Sequence, residues 1–106
     1  MPRYMLKARY TADGAQGLLK DGGTARRAAV EKLLQSVGGR LEAMYFAFGE
    51  DDVFVIADLP DQVTAAAAAL TVSSSGAVGV STIVLLTPEE IDQATHKAVD
   101  YTAPGR

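Results

Sequence analysis

The sequence predicts an α+β domain: a four-stranded sheet with two long helices on one side of it. Three observations carry this expectation. Residues 3–10 alternate between apolar and basic side chains. The run from Gly38 to Pro60, GGRLEAMYFAFGEDDVFVIADLP, reads as two apolar strands joined by a short acidic turn. Helix-like segments flank that run on both sides. Helix–strand–strand–helix is the middle of a split βαβ unit, and a further strand at each end completes it.

Each element has its own warrant. In Arg3 to Tyr10, the side chains of Tyr4, Leu6, Ala8 and Tyr10 point one way. Arg3, Met5, Lys7 and Arg9 point the other, the period of two that marks a strand. Thr11 to Gly23 holds Asp13-Gly14, Gly17 and Asp21-Gly22-Gly23, which reads as a loop with at most a turn of helix. Thr24 suits an N-cap. After it, Ala25, Ala28, Ala29, Leu33, Leu34 and Val37 recur at helical spacing. Gly38-Gly39 supplies the stop.

Arg40 to Phe48 is the second strand. Strict alternation puts Leu41, Ala43, Tyr45 and Ala47 on one face and Glu42, Met44, Phe46 and Phe48 on the other. Gly49-Glu50-Asp51 is the hairpin turn. Asp52 to Leu59 is the third strand, with Val53, Val55, Ala57 and Leu59 on its core side. Pro60 sits where a helix begins, and Asp61 to Ser73 is an alanine-rich helix able to lie close on the sheet. Gly79 to Leu86 is a β-branched fourth strand. Thr87-Pro88-Glu89-Glu90 then signals a helix start, with a cap, a proline at the first position and acids in the first turn. That helix is expected to run to about Ala98, with Val99 to Arg106 a loose tail. The order βαββαβ, with right-handed crossovers and a closing helix, is the ferredoxin-like plan. A single domain over residues 3–98 accounts for the whole pattern.

Composition bounds the function. The 106 residues suit one domain, and a domain this small gains by covering part of its surface through self-association. There is no apolar stretch of the roughly 18 residues that a membrane helix needs. The N-terminus enters a strand pattern directly, without the apolar core of a signal peptide. The absence of cysteine removes disulfides, thiolate catalysis and Cys-based metal sites. A cytoplasmic location is the expectation. The net charge of −3 divides unevenly, with residues 1–40 carrying +5 and residues 41–106 carrying −8. Basic and acidic segments that interleave in one sheet will largely cancel. With a pI near 5.0 and no basic patch interleaved with aromatics, nucleic acid is not an expected partner.

Several residues together resemble a known family. The run Tyr45…Phe48-Gly49-Glu50-Asp51-Asp52-Val53-Phe54-Val55-Ile56, followed by Leu59-Pro60-Asp61, is similar to the GYD domain family. So are the opening Tyr4-Met5, the closing Tyr10-Thr11, and Thr87-Pro88-Glu89-Glu90 after the last strand. The likeness spans roughly residues 3–92. The family's Gly-x-Tyr-Asp core is matched by Gly49 and Asp52, while Asp51 replaces the tyrosine. The resemblance implies a ferredoxin-like fold of the dimeric α/β-barrel type and implies little about activity, since fold alone supplies no reaction.

If both helices cover one sheet face, the other face carries Met5, Lys7, Arg9, Phe46, Phe54 and Ile56. That surface is too apolar to stand alone in water and is expected to be an interface or a pocket wall. Lys7 and Arg9 are candidate anchors for a small apolar or anionic ligand, beside Tyr45, Phe46 and Phe54. The simpler reading pairs the two cations with Glu42, Asp52 or Asp58 on neighbouring strands. Asp52 is the one catalytic candidate, because a carboxylate near apolar rings is a plausible general base. Its simpler reading is a carboxylate that accepts backbone N–H groups and fixes the hairpin. His96, the lone histidine, shares a helical spacing with Asp92 and Asp100, and a solvated face explains it better than a metal site. No metal and no cofactor are expected. Three functions remain open: a homo-oligomeric small-molecule-binding module, a cofactor-independent oxygenase- or isomerase-like enzyme, and a structural or regulatory subunit without ligand.

Overall fold

The computed structural model describes residues 1–106. Its elements are β1 (Arg3–Tyr10), α1 (Ala12–Asp21), α2 (Gly23–Ser36), β2 (Arg40–Phe46), β3 (Val53–Asp58), α3 (Gln62–Ser74), β4 (Val78–Leu85) and α4 (Pro88–Thr95). The four strands form one antiparallel sheet in the order β2-β3-β1-β4. This is the ferredoxin-like βαββαβ arrangement. Leu34 of α2 and Ala65 of α3 both pack into the core formed by Tyr4, Val53, Val55, Ala57 and Leu59, so the two long helices share one face of the sheet.

Two features depart from the sequence expectation. The segment read as a loop contains a ten-residue helix, α1. Thr11 starts it, its hydroxyl oxygen accepting the Gly14 N–H while its hydroxyl donates to the Gly76 carbonyl at 2.9 Å. Each glycine costs a helix about 1 kcal/mol against alanine, which is why the segment reads as a loop. Here Gly14 is buried against the Ala77 carbonyl and the Tyr10 ring, so tertiary contact overrides propensity. The break before α2 takes a single residue, Gly22, whose φ of 83° is open to glycine at little steric cost. Thr24 is therefore inside α2, and the N-cap is Gly22.

The second departure is a β-bulge in β2. Leu41 pairs with Ala57, but the next pair is Ala43 with Ile56. Glu42 is the extra residue. Beyond it the faces exchange: Met44 lies opposite Val55 and Phe46 opposite Val53, on the helix side, while Tyr45 lies opposite Phe54 on the open side. A one-residue slip reverses every side chain that follows, so strict alternation assigned these three residues to the wrong faces. Phe46 belongs to the helix side, within about a van der Waals contact of Gly23.

The body is thin. Only 11 of 106 residues are buried, a small core for a chain of this length. The radius of gyration is 16.8 Å, against about 13 Å for a compact chain of this size. The molecule measures 56 × 33 × 22 Å, and α4 lies on its surface. The helix has no buried residue, yet its start is fully built: Thr87 and Glu90 cap each other at 3.1 and 2.9 Å, with Pro88 in the first turn. It ends at Thr95, three residues earlier than expected, where His96 Nδ1 donates to the Asp92 carbonyl at 2.7 Å. Asp100 lies beyond it.

Gly14→Ala tests the α1 contact. The added methyl meets the Ala77 carbonyl oxygen, backbone that cannot rotate away. The expected cost is about 1–3 kcal/mol in urea unfolding, with Gly17→Ala, in open space, neutral or stabilising.

Candidate functional site

Two regions gather chemistry-bearing side chains, one on each side of the sheet. The open face carries an apolar centre between two charged ends. Met5, Ile56 and Ile83 form one cross-strand row; Lys7, Phe54, Tyr45 and Ser81 form the next. Tyr45 is exposed, and Phe54 and Ile56 are half-buried.

At one end of this face four charges neutralise each other. Arg40 reaches Asp58 at 2.9 Å, Arg3 reaches Asp58 at 3.2 Å, and both approach Glu42, at 3.6 and 3.4 Å. The bulge keeps Glu42 on this face. Asp58 is buried, and the Arg40 hydrogen bond holds its carboxyl below the usual carboxylate range, with burial opposing and Arg3 assisting. At the other end Lys7 stands 3.7 Å from Asp51, and Arg9 stands 3.5 Å from Glu50 while its Nε–H donates to the Glu50 carbonyl at 2.8 Å. The cations do pair, but with the hairpin turn rather than with Glu42, Asp52 or Asp58. A shallow concavity of about 460 Å³ lies among Lys7, Arg9, Glu50, Asp51 and Ser81.

Asp52 sits where three strands meet. Its carboxylate accepts the Tyr10 N–H at 2.8 Å, its own N–H donates to the Ala8 carbonyl at 2.8 Å, and its carbonyl accepts the Ala47 N–H at 2.8 Å. These contacts give it a structural task whatever else it does. It also borders a recess of about 430 Å³ lined by Tyr10, Leu18, Phe46 and Phe48.

With Asp52 and its flanking strands placed, comparison with known proteins becomes informative. The family model described as GYD domain matches residues 4–95, nearly the whole chain. The chain belongs to the GYD domain family. Comparison with curated proteins and with solved structures returns no match. In this GYD domain the motif's glycine and aspartate are the turn residue Gly49 and the strand pin Asp52. Asp51, in the tyrosine's place, faces Lys7 instead of offering a ring.

The second region of the GYD domain lies on the helix side and was not anticipated from sequence. An apolar cavity of about 60 Å³ opens between the sheet and the helices α2 and α3, walled by residues such as Leu6, Val30, Leu33, Val55 and Val72. Arg26 is the one charged residue on its wall. A cleft of about 310 Å³ between α1, α2 and the start of β4 shares Tyr10, Arg26 and Val78 with it. Arg26 takes part in none of the chain's ion pairs. In the sequence it is one of two adjacent arginines on a helix. Nothing in a 3.6-residue period tells which of them leans over a gap in the core.

Asp58 and Asp52 each give a test. Because the folded pKa of Asp58 is depressed, its contribution to stability is full above about 3.9 and disappears as pH falls through the lower folded value. Asp58→Asn should lose about 1 kcal/mol at neutral pH, limited by the solvent exposure of the two arginines. It should also flatten the acid limb of the stability–pH curve from urea titrations. Asp52→Ala leaves the Tyr10 N–H without its acceptor and should cost about 1–2 kcal/mol in the same assay.

Proposed function

We propose that this GYD domain is a homo-oligomeric small-molecule-binding module whose open sheet faces pair. One observation carries the reading: the face opposite the helices is apolar at its centre and charge-neutralised at both ends. Met5, Phe54, Ile56 and Ile83 present a surface that a monomer has no reason to keep, and the ion pairs at its ends remove the repulsion that would hinder two copies meeting. A small buried core and a projecting α4 point the same way, since both leave apolar groups, such as Ile91, without cover in a single copy. Two facing sheets would enclose a space walled by Tyr45 and Phe54, with Lys7 and Arg9, each beside a carboxylate of the turn, at one end. Such a space suits a small apolar or anionic molecule. Phe46, on the helix side, would not line it.

No helix is long and apolar enough to cross a membrane. The cysteine-free composition fits the reducing cytoplasm. No observation raises the oxygenase- or isomerase-like reading above this one: Asp52, the carboxylate it would use, already accepts a backbone N–H.

Native mass spectrometry of the purified protein, followed by the same measurement on Ile56→Asp, tests the interface. The wild type is expected as a dimer or larger. Ile56→Asp places an unpaired carboxylate in the proposed contact and should weaken association at least about a hundredfold, with an unchanged far-ultraviolet circular dichroism spectrum. A monomeric wild type, or a variant that associates as well as wild type, overturns the reading. Arg9→Ala should weaken ligand retention without dissociating the subunits.

A further inference from the structure

We infer that each protomer holds a second binding site, on the helix side of its sheet, for a small monocarboxylate with a branched or aromatic apolar tail. The inference goes beyond the inter-sheet cavity, because every residue of this site comes from one chain.

α3 turns Ala68 toward the sheet beside the helix-side cavity, and alanine occupies less depth than a leucine or isoleucine would. The space left between α2 and α3 is the cavity of about 60 Å³, whose wall is apolar on every side but one. Protein interiors are close-packed, with few voids larger than a water molecule, and the lining of a void forgoes dispersion contacts that an apolar occupant would restore. The exception on the wall is Arg26, half-buried and without a carboxylate partner. A guanidinium at an apolar wall is costly unless an anion or water meets it. Arg26 lines both the cavity and the wider cleft, and a long arginine stem can lie along apolar surface while its head meets water or an anion at their junction.

Chemistry then narrows the ligand. The apolar end accepts a short branched chain or the edge of a ring and nothing polar. The junction offers a planar fork that binds a carboxylate through two parallel hydrogen bonds. The Tyr10 ring borders both spaces and can lie against the tail. The outer cleft carries Asp13 and Asp21, two carboxylates against the single cation. A phosphate dianion would be repelled by that pair, whereas a monoanion that reaches past them to Arg26 would not. A monocarboxylate with its tail inward satisfies all three conditions.

The test uses the whole 106-residue chain as purified, labelled with nitrogen-15 and titrated with 3-methylbutanoate, 4-methylpentanoate and phenylacetate to millimolar concentration. Saturable amide shifts are expected at Tyr10, Gly14, Arg26, Ala29 and Val78 for at least one of the acids. Binding should weaken at least about tenfold for the corresponding neutral amide and in Arg26→Gln, and recover in part in Arg26→Lys. Ala68→Leu, which fills the apolar end and leaves Arg26 untouched, should lose binding while keeping its melting temperature or raising it. A merely structural arginine would not distinguish acid from amide. Equal affinity for acid and amide, or an unchanged Arg26→Gln, overturns the inference. Shifts confined to Lys7, Arg9 and Phe54 overturn it while leaving the inter-sheet cavity standing, and no saturable shift from any acid overturns it outright. A monomeric protein that still shows the Arg26 pattern would sink the oligomer reading alone.

Discussion

Asp52 holds the register of the sheet. Its main chain bonds to β1 on one side and to the chain just past β2 on the other, and its carboxylate holds the last amide of β1. Three strands are thereby fixed at one point. Once that point is set, Lys7 must lie opposite Phe54 and Met5 opposite Ile56, and the apolar centre of the open face follows. The same clamp orients the end of β1, where Tyr10 forms a wall shared by the recesses of the helix side. An aspartate suits this position because a short ionised side chain accepts a backbone N–H strongly without needing space.

The bulge at Glu42 does the complementary work at the edge. It lets one strand satisfy two demands that strict alternation sets against each other. Before it, Leu41 packs under the helices while Arg40 reaches Asp58; after it, Met44 and Phe46 enter the helix side. Without the extra residue, Met44 and Phe46 would crowd the open face and Tyr45 would be forced beneath α2. The sacrificed ladder position is also useful, since it supplies the second carboxylate of the charge cluster at that end.

These two positions show how much the chain discloses before folding. The strands, the two long helices and the capped α4 are written in local patterns: alternation in β1 and β3, the Thr87–Glu90 capping box, the proline and aspartate ahead of α3. Tyr45 was assigned to the other face, while Lys7, Arg9 and Phe54 were legible as companions on one face because a period of two is a local rule. Phe46 was not, because a bulge is decided by pairing with a partner strand and leaves no mark of its own in the sequence. α1 escaped notice for a similar reason. Its glycines argue against a helix until Ala77, more than sixty residues away, is known to lie against Gly14. Arg26 is the extreme case: its setting depends on the alanines of α3 and the valines of β4, none of which is near it in the chain.

The two rims of the sheet are unlike. β2 is guarded by its bulge and by the charges of Arg40 and Glu42. β4 runs eight residues in unbroken register with β1, has no charge and no proline, and leaves its other rim bare. A unit with two sticky rims is bifunctional and polymerises; a unit with one is monofunctional and can only couple. Any strand-to-strand joining of these chains through β4 therefore terminates at a pair, an eight-stranded sheet with a guarded β2 at either end. The same asymmetry that leaves one rim unprotected gives folded copies no second rim through which the joined sheet could grow.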